Sequence, residues 1–432
     1  MTTKRIRTAV IGSGISGLAS AWLLAPHQDV TVFEAASMPG GHARTRQVDG
    51  VAVDTGFIVC NRRTYPLFIP LLEHLGVDLA PSDMSFAASF DDGALEYGTT
   101  GPLDMFAQKR RLLDLSHWRM IRDTLRFFRQ ATSQVRDGES IGDMLSRLGL
   151  GADFRDRFLM PISGAIWSMP TRDMLDFPAT AFVRFFENHG LLTVDDQPEW
   201  MTVRGGSARY VAALLDATRA EVKLNSPVLA VKRGLDGIVV TSGAGDDCFD
   251  RVVLATHAPQ ALALLRDADA EESGILSAFR AEPNRMVLHS DVSFLPRTRS
   301  IWSSWNYVTR HDQMLKEAPI SLSYWMNRLQ PLGTDRPLIV TLNPEHEPDQ
   351  IHDEATLHHP QFDAAAVRAQ SRLGSIQGRG GVYFAGAWTR YGFHEDGVLS
   401  ALRVAQAMGI DWPLGADPWA SERMDPFREA AE

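Results

Sequence analysis

The chain has 432 residues, of which 44% are hydrophobic and 22% charged; these ordinary globular values exclude a disordered, collagen-like or low-complexity protein. A net charge of −10, from 43 Lys and Arg against 53 Asp and Glu, argues against general nucleic-acid binding, which depends on neutralising phosphates. Cys60 and Cys248 are the only cysteines, too few for a disulfide scaffold or a cysteine metal cage, and the length predicts two or three domains.

Apolar residues are spread along the chain and not gathered into one long segment. No apolar run reaches the about 18 residues that a membrane-spanning helix needs. The first predicted strand begins at Ile6, which leaves no room for a cleavable signal peptide. We therefore expect a soluble, cytoplasmic protein.

The first predicted elements form a βαβ unit. A short apolar strand covers Ile6–Ile11, a helix follows over Leu18–Leu24 and ends before Pro26, and a second strand covers Val30–Glu34. Strands joined in this way lie parallel in a sheet that is buried on both faces. The N-terminal part of the chain is therefore predicted to be an α/β domain.

A glycine turn joins this first strand to the helix. Gly12 permits the tight turn, Gly14 lets the backbone approach a pyrophosphate, and Gly17 lets the helix pack closely. The helix N-terminus offers free N–H groups to phosphate. Glu34 ends the second strand, where a carboxylate binds the ribose hydroxyls of a dinucleotide and repels a 2′-phosphate. The predicted cofactor contacts here are Gly12, Ser13, Gly14, Ser16, Gly17 and Glu34.

The remaining elements alternate between helical and strand regions. Residues 103–149 and 171–190 are predicted to be mostly helical. The predicted strands are a meander at 228–231, 238–241 and 251–256, an antiparallel sheet from 285–292, 299–308, 319–327 and 337–342, and a closing strand at 382–385. A last helix is predicted from about Gly397 to Met408, followed by a loosely held tail from Asp411.

Two further segments carry a resemblance to a known superfamily. Pro39–Thr45 resembles the Gly-Gly-Arg loop of the FAD-dependent amine oxidase, protoporphyrinogen oxidase and phytoene desaturase superfamily, and Phe384–Thr389 with Gly397–Ala401 resembles its closing motif. The resemblance implies an amine-oxidase fold: a Rossmann-like FAD-binding domain with an inserted α+β substrate domain that contains an antiparallel sheet. His42 stands at the usual Arg position, and Arg44, two residues on, is taken as the phosphate ligand.

The resemblance also implies the domain boundaries and the rest of the FAD site. The FAD-binding domain is assigned to residues 1–80, 200–270 and 378–410, the substrate domain to 81–199 and 271–377, and the tail to 411–432. With no cysteine beyond Cys248, FAD should be bound non-covalently. Further predicted contacts are Gly41, Arg44, Val228, Gly386, Trp388, Asp396, Gly397 and Val398.

Within the superfamily, the chain most resembles bacterial FAD proteins associated with cyclopropane-fatty-acid-synthase-type methyltransferases. Ser304–Tyr307, Met326–Gln330 and Tyr391–Gly397 carry this closer match. It implies dehydrogenation of a methyl-branched or unsaturated lipid acyl chain by hydride transfer to flavin N5, with a lipid methyltransferase as a partner. There are two alternatives. The first is an amine oxidase that releases hydrogen peroxide, and the second is a non-catalytic flavoprotein partner of such a methyltransferase.

The candidate catalytic residues precede the last predicted helix. His394, Glu395 and Tyr391 lie where the superfamily chain passes the flavin, so they could accept a proton or contact the ring; a loop-stabilising histidine and a capping carboxylate are the alternative. Asp396 is also a candidate N-cap. Aromatic residues crowd both parts of the substrate domain, either as tunnel walls or as ordinary core. The other histidines are scattered, so no metal site is predicted.

One helical segment is strongly basic. Residues 108–136 carry eight Lys or Arg against Asp114 and Asp123, with apolar residues, Trp118 among them, at mostly helical spacing. This pattern is typical of interfacial helices on anionic lipid, so residues 109–129 are a candidate surface for peripheral binding to the inner face of the membrane. An ordinary solvated helix face is the alternative.

Overall fold

The structure is a computed structural model that describes residues 5–167, 174–188, 190–193, 197–310 and 321–419. The strands in chain order are β1 (Arg7–Ile11), β2 (Asp29–Phe33), β3 (Thr45–Val48), β4 (Val51–Asp54), β5 (Val59–Asn61), β6 (Leu79–Pro81), β7 (Phe86–Phe90), β8 (Leu95–Gly98), β9 (Trp200–Val203), β10 (Glu221–Lys223), β11 (Val228–Gly234), β12 (Gly237–Ser242), β13 (Gly245–Phe249), β14 (Arg251–Leu254), β15 (Arg280–His289), β16 (Trp305–Thr309), β17 (Leu322–Trp325), β18 (Ile339–Leu342), β19 (Ile351–Gln361) and β20 (Val382–Phe384).

The helices lie between these strands and in the helical insertion. In chain order they are α1 (Ile15–Leu24), α2 (Phe68–His74), α3 (Leu115–Gln134), α4 (Ile141–Leu148), α5 (Ala152–Phe154), α6 (Met160–Trp167), α7 (Ala179–Asn188), α8 (Ala208–Thr218), α9 (Ala258–Leu264), α10 (Ala270–Leu276), α11 (Met326–Leu329), α12 (Ala364–Gln370) and α13 (His394–Ala407). Single 3₁₀ turns cover Asp104–Phe106, Lys109–Leu113, Val292–Phe294, Arg299–Ile301, Leu373–Ser375, Arg379–Gly381 and Ala387–Thr389, and a π turn covers Arg155–Leu159.

A five-stranded parallel sheet in the order β10-β2-β1-β14-β20 forms the centre of the α/β part. Val10 faces a core shared with α1, α8 and α13, whereas Ile11 faces a core shared with β12, α9 and α10. Both faces are therefore buried, as the apolar runs of these strands predict. The three chain segments that supply this sheet are those assigned to FAD binding, although the domain boundaries themselves stay predictions.

The predicted meander differs from the structure in one strand. β11, β12 and β13 pair as an antiparallel three-stranded sheet, whereas β14 leaves it and pairs with β1 in the parallel sheet. The run Arg251–Leu254 is buried on three of its four residues, because a central parallel strand is covered on both sides. Local periodicity marked the strand but could not identify its partner.

The predicted antiparallel sheet is present and larger than expected. Its order is β19-β15-β18-β17-β16-β7-β8, with antiparallel neighbours except for the parallel pair of β16 and β7. β7 and β8 come from residues 86–98, where no strand was predicted. The third predicted run ends at Trp325, because Met326 begins the short helix α11; Ile320 lies outside the described residues.

The segment after Asp411 is packed, contrary to the predicted loose tail. Trp412 and Trp419 are 6% and 8% exposed and belong to the same core as α1 and α13. A tail that buries two indoles is held by apolar contact. The prediction was therefore wrong for residues 411–419, and residues 420–432 lie outside the described part.

No helix in the described part of the chain is both long enough and apolar enough to span a membrane.

Candidate FAD and substrate cavity

A large cavity opens where the carboxyl ends of β1, β2, β14 and β20 converge, and it extends to the antiparallel sheet. Ligands of open parallel sheets bind at this edge, because the loops that follow the strands diverge there. The cavity volume is about 1120 Å³, above the range of about 300–1,000 Å³ for small-molecule pockets. It has room for a dinucleotide together with a second molecule.

The three glycines of the first turn have separate structural roles. A Cβ on Gly12 would lie 2.8 Å from the Ala255 carbonyl oxygen, and one on Gly17 would lie 1.9 Å from the Gly12 oxygen. A Cβ on Gly14 would meet no protein atom within 4 Å, and Gly14 lines the cavity at the N-terminus of α1. The fold therefore needs Gly12 and Gly17, whereas Gly14 keeps space open for a ligand beside the free N–H groups of the helix.

Glu34 lies immediately after β2 with its carboxylate oriented by the glycine turn. Its Oε2 accepts hydrogen bonds from the Ser13 backbone N–H at 2.9 Å and the Ser13 hydroxyl at 2.5 Å, and its Oε1 accepts from the Ala36 N–H at 2.8 Å. Glu34 and Val228 both line the cavity. An ionised carboxylate has lone pairs left for ribose hydroxyls, so this end of the cavity fits an adenosine.

The Gly-Gly loop places His42, and not Arg44, beside the phosphate-binding turn. A Cβ on Gly41 would lie 3.1 Å from Gly14 Cα, so the two loops touch. His42 lines the cavity, and its buried Nε2 has no hydrogen-bond partner among the described residues. Arg44 instead donates to the Thr55 hydroxyl at 2.9 Å and forms an ion pair with Asp353. Contact of Arg44 with the phosphates stays a prediction, and the ion pair with a carboxylate from β19, away from the cavity lining, argues against it.

Four histidines from three distant chain segments meet on the cavity wall. The ring centroid of His42 lies 5.8 Å from that of His257 and 5.7 Å from that of His359, and His257 lies 6.4 Å from His358. Burial lowers the pKa of His257 to about 4 and that of His359 to about 3, with repulsion from neighbouring histidines adding to the shift. Burial also lowers the pKa of His42. Since these three rings are neutral near pH 7, they offer hydrogen bonds and not positive charge.

The closing motif contributes Gly386 and Trp388 to the cavity, as predicted. The Trp388 indole donates to the Thr256 carbonyl at 2.9 Å, and a Cβ on Gly386 would lie 2.2 Å from the indole nitrogen. Gly386 thus lets the indole fold back over the end of β20. The segments after β14 and β20 are joined at the cavity by this contact.

The last helix begins at His394, three residues earlier than predicted. Asp396, Gly397 and Val398 therefore lie in the first turns of α13 and are not among the described cavity-lining residues, so their contacts with FAD stay predictions. A Cβ on Gly397 would lie 2.6 Å from Ile15 Cγ2, so this glycine lets α13 pack on the start of α1. The Asp396 carboxylate accepts from the Phe393 N–H at 2.9 Å within the first turn, so it stabilises the helix start without being the N-cap residue.

His394 and Tyr391 lie at the cavity, as predicted for catalytic candidates. The His394 ring stacks on Phe57 at 3.8 Å between centroids, and its Nε2 lies 2.8 Å from the Tyr210 hydroxyl. Burial lowers the pKa of His394 well below its ordinary value, and His42 lowers it further. His394 is therefore a neutral imidazole held in one orientation by a phenyl ring and a phenol.

Glu395 points away from the cavity, so its predicted contact with the flavin was wrong. Its carboxylate accepts hydrogen bonds from the Leu67 and Phe68 N–H groups at the start of α2, at 3.0 and 2.9 Å, and from the Trp419 indole at 2.6 Å. Burial raises its pKa to about 7. Successive residues of a helix face different directions, which is why His394 reaches the cavity and Glu395 does not.

The sequence interpretation did not identify the segment Thr55–Phe57, which also lines the cavity. It follows β4, whose last residue, Asp54, is buried and accepts from the Ser207 N–H at 2.9 Å and from the Gln330 amide at 2.8 Å. Burial raises the pKa of Asp54 to about 6. An Asp-Thr-Gly run directly after a strand was the available signal, since such a run marks a turn with close backbone approach.

Comparison with known proteins identifies the family. The model of the family described as flavin containing amine oxidoreductase matches residues 15–358. A tryptophan 2-monooxygenase from Allorhizobium ampelinum is 44% identical over 81 residues, and a hydroxyneurosporene desaturase from Rubrivivax gelatinosus is 48% identical over 58 residues. These stretches cover 18% and 13% of this chain and only 11% of each relative.

The fold also has solved counterparts. The crystal structure of a CLA-producing fatty acid isomerase from P. acnes matches with a TM-score of 0.70 at 15% identity, covering 95% of this chain and 100% of that one. At this identity the match concerns the fold alone. It confirms the predicted combination of a Rossmann-like sheet with an antiparallel sheet.

Proposed function

The chain belongs to the flavin-containing amine oxidoreductase family, and on that premise we propose that it is an FAD-dependent oxidoreductase that removes hydrogen from a hydrophobic, lipid-like acyl chain. The observation that carries the substrate class is the chemistry of the cavity wall beyond the dinucleotide end. A methyl branch or a double bond next to the reacting carbon would weaken the C–H bond that is broken. We therefore propose a methyl-branched or unsaturated chain.

The residues at the glycine turn fit FAD. Gly14 leaves a space that a Cβ would fill, Glu34 presents an oriented carboxylate, and the buried Nε2 of His42 lacks a partner among the described residues. When bound, FAD would supply the acceptor for a hydride. Neither Cys60 nor Cys248 is among the residues lining the cavity, which supports non-covalent binding.

Apolar side chains form the wall on the side of the antiparallel sheet. They come from β7, α6, α7, β16, β17 and β18 and include Phe86, Ile162, Phe185, Trp305, Tyr324, Val340 and Leu342. Such a wall stabilises an acyl chain because it removes apolar surface from water, by about 25 cal/mol per Å². The proposed acyl chain would lie against this wall.

The same wall disfavours a cationic amine. Among the described residues that line the cavity, Glu34 is the only Asp or Glu, and it lies at the glycine turn. A buried cation without a carboxylate or comparable partner is strongly destabilised. This charge distribution supports an uncharged apolar substrate over the amine oxidase alternative.

Dehydrogenation of a carbon chain also releases a proton. On the described wall away from Glu34 the groups able to pass it on are imidazoles and phenols, and His394 and Tyr391 are the pair from the closing segment. His394 would not retain the proton near pH 7, because burial holds its pKa well below its ordinary value. Tyr210 bonds the His394 Nε2 and fixes the ring orientation. We assign His394 and Tyr391 to substrate positioning and proton transfer, and Phe57 to the support of His394.

Anaerobic titration of the FAD-loaded protein tests this proposal. The probes are an unsaturated fatty acid, a methyl-branched fatty acid and a straight saturated fatty acid of the same length, followed by a panel of primary amines. We expect loss of the yellow absorbance of oxidised flavin with the first two and none with the amines. Reduction by amines, with hydrogen peroxide released on admission of air, would instead establish an amine oxidase. Reduction by none of the probes would indicate the non-catalytic partner.

A further inference from the structure

Exposed apolar side chains are concentrated in one segment of the surface. Leu113 is 91% exposed and Leu115 is 75% exposed. The exposed large hydrophobic residues between positions 103 and 125 are Leu103, Leu112, Leu113, Leu115, Trp118 and Leu125. Such a cluster is unusual on a soluble protein and marks a surface that contacts something else.

Helix α3 presents this apolar character on its outer face. Met120, Phe127 and Ala131 are fully buried on the inner face. The outer face carries Leu115, Trp118, Arg122, Leu125 and Arg129, which are spaced by three or four residues and are all exposed. Of these residues, Arg122 also forms an ion pair with Asp123. A solvated helix face is normally polar throughout, whereas this one alternates leucine and tryptophan with arginine.

The charge of this surface is positive although the protein carries −10 overall. Residues 103–129 contain three aspartates. Asp104 is half-buried, Asp123 is 1% exposed, and Asp114 caps α3 through the Ser116 N–H at 3.0 Å and pairs with Arg111. Arg119 pairs with Asp153 at 3.0 Å, and Arg126 approaches Asp123 at 3.6 Å. Lys109, Arg110 and Arg129 are exposed and have no carboxylate within ion-pair distance among the described residues.

We propose that residues 103–129, here named the basic-leucine surface, dock the protein on an anionic lipid membrane. Leucines 112, 113 and 115 and Trp118 enter the headgroup region, and Lys109, Arg110 and Arg129 contact lipid phosphates. Basic side chains next to exposed leucine and tryptophan match the two components of such a surface. The attraction acts within a Debye length, about 10 Å at 0.1 M salt, so the local positive charge outweighs the distant negative charge.

The docking surface lies one helix away from the cavity. Phe127 of α3 contacts Phe182 of α7 with 6.4 Å between ring centroids, and Phe185 of α7 lines the cavity. A protein docked through α3 therefore holds the α7 wall of the cavity towards the membrane. The docking proposal stands on the exposed surface and does not depend on which substrate is oxidised.

Vesicle co-sedimentation of the full-length, FAD-loaded protein tests the proposal. The vesicles contain equal parts of phosphatidylcholine and phosphatidylglycerol, with pure phosphatidylcholine as the neutral comparison. Wild type should bind only the anionic vesicles, and the binding should fall at least about tenfold as salt is raised from 0.05 to 0.5 M, because screening shortens the range of attraction.

Two variants separate charge from apolar insertion. The first variant combines Lys109→Gln, Arg110→Gln and Arg129→Gln. It removes three cations and keeps the ion pairs of the buried Asp123, which changes at Arg122 and Arg126 would break. Leu113→Ser with Leu115→Ser removes the most exposed leucines of the surface. Each variant should lower binding about tenfold or more while FAD content and circular dichroism stay unchanged.

Matched changes elsewhere are the controls. Lys232→Gln, Arg209→Gln and Arg219→Gln remove three other exposed cations, and Leu235→Ser removes a fully exposed leucine; these should bind vesicles as wild type does. Equal binding by wild type and both surface variants overturns the proposal, as does absence of binding by wild type at low salt. A wild-type dimer that Leu113→Ser with Leu115→Ser converts to monomer, without vesicle binding, would assign the surface to a second copy of the chain.

Discussion

The indole nitrogen of Trp419 lies 2.6 Å from Oε1 of Glu395 and donates a hydrogen bond to it. The same carboxylate accepts from two N–H groups at the start of α2, so a single buried acid joins the C-terminal segment, the last helix and α2. Three donors satisfy the carboxylate, yet its burial raises the pKa to about 7. Glu395 is therefore a structural residue whose protonation is linked to folding.

This linkage predicts a pH dependence of stability. The pKa of Glu395 is higher in the folded chain than its ordinary value of 4.5. The stabilisation that the protonated Glu395 gives to the folded state is therefore fully present below about pH 4.5 and is lost as the pH rises through about 7. When the pH is raised from about 5 to 8, the free energy of unfolding of the wild type should fall by up to about 3 kcal/mol more than that of Glu395→Gln. Denaturant unfolding at both pH values measures the difference. Glu221→Gln, an exposed carboxylate, is the control, and the same pH trend in both variants would contradict the assignment.

Gly14→Val should abolish FAD binding without unfolding the protein. The new side chain meets no protein atom within 4 Å at its Cβ and instead occupies the space beside the helix N-terminus. Flavin absorbance and thermal unfolding of the apoprotein report the two effects separately. Gly274→Val, at an exposed glycine that also has no neighbour within 4 Å, should keep full flavin occupancy. Full occupancy in Gly14→Val would remove this turn from the cofactor site.

Glu34→Ala should weaken FAD binding by about 1–3 kcal/mol, or roughly 5- to 150-fold in Kd. The change removes the ribose acceptor and leaves the Ser13 N–H without its carboxylate partner. Ser13→Ala removes only the hydroxyl bond to Glu34 and should have a smaller effect. Fluorescence titration of the apoproteins gives both Kd values. An unchanged Kd in Glu34→Ala would mean that the carboxylate only stabilises the turn.

His42 and Arg44 are expected to have opposite roles. His42→Ala should raise the Kd for FAD by roughly tenfold or more, because a hydrogen bond to a charged group contributes about 1.5–3 kcal/mol. Arg44→Gln breaks the ion pair with Asp353, so it should lower the unfolding temperature while the Kd for FAD changes little. Apoprotein titrations and thermal melts of the same two variants test this. A larger loss of FAD affinity in Arg44→Gln than in His42→Ala would restore the arginine as the phosphate ligand.

Acid or heat should release intact FAD, one per chain, from the purified protein. Cys60 is buried and Cys248 is exposed on β13, and neither is among the cavity-lining residues. Chromatography of the supernatant after precipitation measures the released flavin. Flavin that stays with the precipitate would reveal a covalent bond, for which the cavity-lining histidines would be the candidates.

The sequence by itself determined the parts of the protein that depend on neighbours along the chain. The glycine spacing from Gly12 to Gly17 and the position of Glu34 predict a dinucleotide turn, because turn geometry and strand length are local properties. The same local patterns predicted the antiparallel sheet and the basic amphipathic helix. The amine-oxidase fold was implied by the resemblance of Pro39–Thr45 and Phe384–Thr389 to the superfamily, and the family match and the structural match confirm it.

Tertiary structure alone decided which polar side chains face the cavity. His42, His257, His358 and His359 are brought together by the packing of β19 against the parallel sheet region, over more than 300 residues of chain. Asp353 on the same strand binds Arg44 away from the site. Residue type and spacing could therefore place the glycine turn and Glu34 at the cavity, but they could not show that Arg44 pairs with Asp353 or that α2 and Trp419 bind the Glu395 carboxylate.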